Sequence, residues 1–473
     1  MKITFWGAAK QVTGSMTLLE FDDEYRVLID CGTDLERENN PEKTRYEYGI
    51  FPFDPSLINL VILTHAHIDH SGQIPNLYRE GFEGQVLCTK ATMDLSELLL
   101  LDSASLNQRK FKMIHDSKKR SKKKKDIDSR ELYLDRQVKE AIENFVPIAF
   151  DQRFKFKDNG YLTFIPAGHL LGAAHVYIEF WEDGRKKTLG FSGDIGRKNY
   201  PLLVDPQPLP PVDYLITETT YGDRLHIDQG EAEVLLADII QKACIDVPGR
   251  LIIPSFSVGR TQAMLYTLNK LYTEKGFTPI KVFTDSPLAK ASSRVYERSA
   301  KLLNKPARAF LEENESLFDF ENLIYLESNQ ASKAVSNHAE PCIIISASGM
   351  VQGGRIEHHI EANISNPYAT ILMVGYASEG TLGWKLLNGE RKELSIRGQK
   401  LPVNATIMRI DVFSGHGDFK DLTNFVTSQD AGHLKKVFLV HGEHQTMNNF
   451  KITLEQSGYT QVEIPDKGQT FEI

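Results

Sequence analysis

The chain is poor in groups that would cross-link it or seat it in a membrane. It has four cysteines, Cys31, Cys88, Cys244 and Cys342, scattered without a Cys-x-x-Cys pair. That excludes a disulfide framework and a cysteine-based zinc knuckle, and predicts buried, reduced thiols. No apolar run reaches the ~18 residues that a membrane-spanning helix needs. The opening residues, Met1-Lys2-Ile3-Thr4-Phe5-Trp6-Gly7, enter a strand pattern directly instead of the layout of a signal peptide. A cytoplasmic protein with no membrane partner is therefore expected. An excess of positive charge is missing too: 55 basic residues against 63 acidic ones leave a net charge of −8. Any contact with a polyanion must then be local, because the chain as a whole does not attract one.

What is present is ordinary in bulk and unusual in one place. A length of 473 residues exceeds one common core and predicts two or three domains. Hydrophobic content of 41% and charged content of 25% are those of a soluble globular protein. The unusual place is residues 60–72, where Leu60-Val61-Ile62-Leu63 runs into Thr64-His65-Ala66-His67-Ile68-Asp69-His70-Ser71-Gly72. The apolar run reads as a strand buried on both faces, so the loop after it sits where open α/β sheets hold their sites. His65 and His67 can turn toward one metal, and Asp69 and His70, past the turn, toward a second. Imidazole nitrogen with carboxylate oxygen is a zinc ligand set.

The first 30 residues predict an antiparallel meander, with Gly14 and Asp22-Asp23 at its turns. Asp30, before Cys31-Gly32, ends the third strand and reads as a turn former. Residues 91–115 read as one helix, and Leu134, Val138, Ile142 and Phe145 mark a second. The basic run 118–125 between them cannot pack in a core; it is a solubilising tip or, for a phosphodiester substrate, a contact for a distal phosphate. Residues 162–169 form a strand ending in Gly168-His169, with His175 as a rival histidine, and residues 188–194 a strand ending in Gly193-Asp194. Prolines 201, 206, 208, 210 and 211 then suggest a linker. Beyond it strands and helices alternate, as in a parallel doubly wound sheet. Metal-type signals resume at Ser414-Gly415-His416-Gly417-Asp418 and Val440-His441-Gly442, which makes the alternating region an insertion.

His-x-His-x-Asp-His resembles the signature of the metallo-β-lactamase superfamily. The interrupted order resembles its β-CASP branch of RNA- and DNA-processing nucleases, including the endonuclease that processes messenger-RNA 3′ ends. The resemblance implies an αββα sandwich, residues 1–209 and 399–473, carrying an inserted β-CASP domain at 210–398. It assigns one metal to His65, His67 and His169, a second to Asp69, His70 and His441, and a bridging role to Asp194, with Asp30 behind the metal loop and His175 left structural. Glu218, in Thr217-Glu218-Thr219-Thr220-Tyr221-Gly222, matches the branch's acidic motif, and His416 its general acid. Residues 254–260 and 346–350 resemble substrate-domain segments, so Arg260, Ser346, Ser348, Gly349 and Arg355 are expected at phosphate or sugar, although capping and turn roles fit them equally.

The implied activity is that of a two-zinc ribonuclease acting on single-stranded RNA. A hydroxide shared by the metals attacks phosphorus and leaves 5′-phosphate and 3′-hydroxyl ends. A two-zinc DNA nuclease is the nearest alternative, although His441 favours RNA because DNA-processing members carry a different residue there. A thioester or lactone hydrolase would need neither the insertion nor Glu218 and His416, and a non-catalytic RNA-binding subunit would be expected to have lost ligands. The stretch 348–355 lacks the Lys-Ser/Thr of a phosphate-binding loop, which argues against a nucleotidase. A homodimer is left open.

Overall fold

The computed structural model describes all residues except 23, 36–49, 121–131, 227–230, 376, 378–379 and 390–391; the side chains of 113–120 are likewise not described. The basic run 118–125 thus lies outside the described side chains. Two compact units share the chain: residues 1–198, 205–225 and 416–473 in one, residues 199–204 and 226–415 in the other.

The first unit is built on two seven-stranded sheets. In one, Gln469–Glu472 and Lys2–Gly7 lead through Met16–Glu20 and Arg26–Ile29 to Leu60–Ile62, Gln85–Cys88 and Phe145–Pro147. The early strands pair antiparallel, and pairing turns parallel where Arg26–Ile29 meets Leu60–Ile62. The other runs from Val462–Glu463 through Lys436–Val440, Tyr214–Glu218, Arg185–Phe191, Ala174–Glu182 and Gly160–Pro166 to Phe154–Lys157. Inner faces from both sheets, among them Phe5, Ile29, Ile62, Phe164, Val176, Ile216 and Phe438, form one core. The outer face of the first sheet is covered by the helices Ile74–Arg79, Lys90–Arg120 and Asp135–Ile142, and that of the second by Phe419–Thr427 and His444–Gln456. The layers are therefore helix, sheet, sheet, helix, because each sheet has two apolar faces to bury.

In this arrangement Pro166, Phe191, Glu218 and Val440 end their strands at the same edge of the second sheet, since Tyr214–Glu218 runs parallel to both of its neighbours and Ala174–Glu182 antiparallel to both of its own. Glu218 lies opposite Val440 in that register. The strand 214–218 therefore belongs to the sandwich, and the chain leaves for the second unit after Leu225, later than the proline run suggests. Backbone pairing on both sides of the strand decides this, and local composition does not report it.

The second unit has a six-stranded parallel sheet in the order Leu323–Tyr325, Lys281–Thr284, Cys342–Ser346, Arg250–Pro254, Ala369–Met373, Thr406–Arg409. Its Ile-rich central strands pack against the helix Ile356–Asn363 and others, as a sheet covered by crossover helices requires. The short edge strand Leu323–Tyr325, the last strand and the hairpin Glu393–Ile396 with Gln399–Pro402 were not anticipated from sequence. All four cysteines are buried free thiols. Among the described residues no helix is long and apolar enough to cross a membrane.

Candidate metal centre

The strand ends of the sandwich deliver side chains to one place. Ile62 leads to His65 and His67, Pro166 to His169, Phe191 to Asp194, and Val440 to His441. The turns that aim them use the left-handed backbone region: Gly168 at φ +68°, Gly193 at +53°, and, without the freedom of glycine, Asp30 at +58° and His441 at +52°. A non-glycine residue held there costs on the order of 1 kcal/mol or more and marks a site that its surroundings over-determine. At Gly193 a side chain would also press on Thr64, whose Cβ is 3.0 Å from the position a Cβ would take.

The donors converge in two trios around one carboxylate. Nδ1 of His67 lies 3.1 Å from Nε2 of His65 and 3.1 Å from Nε2 of His169. Nε2 of His70 lies 3.2 Å from Nε2 of His441, which is 3.6 Å from Asp69 Oδ2. Asp194 faces both trios. Its Oδ2 is 3.5 Å from His65 and 3.5 Å from His169, and its Oδ1 is 3.3 Å from His70 and 3.6 Å from His441. His65, His67, His169 and Asp194 form one group of ligand atoms close enough to share a cation, and Asp69, His70 and His441 another.

Groups behind the site set the imidazole tautomers. Asp30 accepts from His70 Nδ1 at 2.7 Å and from the Thr64 hydroxyl at 2.9 Å. With its proton so placed, Thr64 Oγ1 accepts from His65 Nδ1 at 3.1 Å. Both rings then turn a lone pair inward from Nε2, which is how an outer carboxylate prepares a metal-binding histidine. His175 is placed elsewhere: its Nδ1 donates to the Ser192 carbonyl and its ring packs on Phe425.

These residues fit a pair of metal ions. Asp194 Oδ1 is buried with no hydrogen-bond partner, a costly state for a carboxylate oxygen unless a cation is to meet it. The nitrogen separations are close to the ~3.3 Å between ligands of a tetrahedral ion with bonds near 2.05 Å. The electrostatics of the first trio agree. Burial opposes the charge on Asp194, yet the imidazoles of His441, His70 and His65 hold its carboxyl well below the usual range. Burial, with the neighbouring His70, pushes His65 well below the ordinary histidine value, and burial brings His67 to about 4. Deprotonated imidazole is the form that ligates; in the second trio burial opposes the charge, but Asp194 and Asp30 raise His70 well above the ordinary histidine value and Asp194 and Asp69 raise His441, so a cation binding there displaces protons.

A third group adjoins the first two. Glu218, buried at its strand end, lies 3.1 and 3.2 Å from His416 Nδ1 through its two oxygens. It also accepts from the backbone N–H of Ile195 and, at 3.4 Å, of Thr220. His416 Nε2 points to Asp194 Oδ2 at 4.0 Å. Burial opposes its charge, but Glu218 together with Asp194 and Asp69 raises it to about 9.

The expected substrate residues lie in the second unit. Arg355 donates from Nε to Asn329 at 2.8 Å, from Nη1 to the carbonyls of Asp285 and Leu326, and from Nη2 to the carbonyl of Glu327. Its guanidinium thus ties strand ends together. Arg260 donates to the Phe413 carbonyl at 3.2 Å and lies over the Phe256 ring. Ser346 is buried at its strand end, and Ser348 exchanges hydrogen bonds with the Gln352 backbone. Gly349 sits where a Cβ would be 3.1 Å from the Phe256 ring. Sequence reading passed over the hydroxyls that touch the ligands, Thr64 and Thr220. Their signal is faint: each is a threonine next to, or two residues after, a residue already singled out.

Three family models match the chain: the metallo-beta-lactamase superfamily over residues 9–237, the Beta-Casp domain over 261–386, and the Zn-dependent metallo-hydrolase RNA specificity domain over 400–465. A ribonuclease of Thermus thermophilus is 32% identical over 448 residues, 94% of each chain. The transcription termination factor FttA of Methanosarcina mazei is 29% identical over 483 residues, 99% of this chain and 70% of that one. An RNase J-like protein of Methanocaldococcus jannaschii is 28% identical over 475 residues, 100% of this chain and 99% of that one.

Proposed function

Because the chain belongs to the β-CASP branch of the metallo-β-lactamase superfamily, we propose that it is a two-zinc ribonuclease that hydrolyses single-stranded RNA to 5′-phosphate and 3′-hydroxyl ends. Action on nucleic acid as a metal-dependent hydrolase follows from the same membership together with the donor clusters. One observation carries the finer reading. Asp194 offers one oxygen to each imidazole trio, and the Glu218–His416 pair lies against that same carboxylate.

Zinc suits a donor set of imidazole nitrogens and carboxylate oxygens without thiolate, and two such ions supply an activated water and offset charge on the phosphoryl oxygens. The chain's own residues do the rest. Asp30 orients His70 directly and His65 through Thr64. His416, its Nδ1 held by Glu218, keeps a proton on the Nε2 that faces Asp194 and gives it to the departing 3′ oxygen. The RNA specificity match over 400–465 and the name of the Thermus relative support RNA over DNA.

The test is cleavage of RNA and DNA of one sequence, labelled at either end, with product ends mapped and zinc counted by elemental analysis. RNA cut to 5′-phosphate ends by protein holding two zinc per chain is expected. Equal cutting of DNA, cyclic-phosphate ends, or full activity with manganese alone and no bound zinc would each overturn a stated part of the reading.

A further inference from the structure

We propose that Thr220 is a positioning residue for the second metal trio, acting through His441, so that one strand end, residues 218–220, orients both imidazoles supplied by the C-terminal part of the chain. Glu218 holds His416, and two residues on the buried Thr220 hydroxyl meets His441 twice, 3.0 Å from Nδ1 and 3.2 Å from the backbone carbonyl. A hydroxyl has one proton to give. Spent on the carbonyl, it leaves the oxygen to accept from Nδ1–H, and the inward Nε2 carries the lone pair.

The backbone around His441 is held by the same segment. His441 sits at φ +52°, a conformation that a residue other than glycine keeps only when other groups hold it. Its N–H donates to the Ala8 carbonyl at 2.8 Å, and its carbonyl accepts from Thr219 N–H at 3.2 Å as well as from Thr220. Gly442 packs so closely that a Cβ there would lie 2.3 Å from Thr219 Oγ1. Segments 218–220 and 440–442 are thus interlocked, and within that lock Thr220 reaches the ring itself. The ring nitrogen so aimed is the one near His70, Asp69 and Asp194.

This rests on His441 being a metal ligand, and the experiment separates the two claims. Full-length apoprotein is titrated with zinc against a competing chromophoric chelator, and melting is followed alongside, for the parent, Thr220→Val, Thr220→Ser and His441→Ala. Thr220→Val keeps the shape and removes the hydroxyl. It should retain one tight zinc and bind the other about 10- to 100-fold more weakly, the usual cost of losing an outer hydrogen bond to a ligand. Thr220→Ser should return to parent affinity. Parent-like binding by Thr220→Val, binding by Thr220→Ser as weak as that of Thr220→Val, or loss of both zincs together with a lowered melting temperature would each overturn the proposal. Two zincs retained by His441→Ala would overturn the ligand assignment itself. If Thr220→Val does not fold, the serine variant against Thr220→Ala decides by the same criteria.

Discussion

At the sandwich edge ring nitrogens stand 3.1 to 3.2 Å from one another and a carboxylate oxygen is buried without a hydrogen-bond partner, whereas in the inserted unit the Arg355 guanidinium is turned onto carbonyls and an amide of its own chain. Both regions are rich in polar side chains at strand ends. The difference is who satisfies them. Ring nitrogens and a carboxylate facing one another at these distances suit a shared cation, which repays the desolvation of all of them. A guanidinium already matched to protein acceptors has done its work in holding the fold, and charge alone does not make it a substrate contact.

The largest effect that would break this contrast is at Asp194. Asp194→Ala removes the oxygens facing both trios, and should lower metal content below two per chain and turnover by about 10²- to 10³-fold, the scale of losing a preorganised electrostatic group. Elemental analysis with single-turnover kinetics checks it. A variant that keeps both metals would mean the trios bind independently of Asp194.

His416→Ala sharpens the contrast within the site. Both metals should remain and turnover should fall about 10²- to 10⁴-fold, as for loss of a general acid. A substrate with sulfur at the bridging 3′ position, whose leaving group needs little protonation, should restore much of the rate when thiophilic metal is supplied. Loss of a metal, or no rescue, removes His416 from that role.

The smallest effect separates the units. Arg355→Met should cost about 2 to 3 kcal/mol of stability in denaturant unfolding, since charge-assisted hydrogen bonds to partly buried carbonyls are lost, while zinc stoichiometry stays that of the parent. Unchanged stability with weakened RNA binding would instead make Arg355 the phosphate contact that its sequence context suggests.

The ligands were legible because chemistry and periodicity coincide along the chain. His65, His67, Asp69 and His70 follow a buried strand within six residues, and His169 and Asp194 each close an apolar run after a glycine. The alternation of apolar strands and helices in the inserted unit was equally local, and the parallel six-stranded sheet follows from it. Arg355 and Arg260 are ambiguous in the sequence for the converse reason. A guanidinium near a glycine-rich turn looks the same in sequence whether its partners are phosphates or the carbonyls of residues 285, 326 and 327.

Residue types and short spacings, read with the family resemblance, were therefore enough for the fold class and for naming the His, Asp and Glu residues that the structure brings together, since most of them lie at a strand end or in the few residues after it. Which unit owns residues 214–218, the placing of the Thr64 and Thr220 hydroxyls against His65 and His441, and that one carboxylate faces both trios depend on pairings between segments up to 371 residues apart, such as His70 with His441. Such pairings arise from burying two sheets against one core. Apolar periodicity records that a strand is buried, and leaves its neighbour to be chosen when the whole sheet assembles.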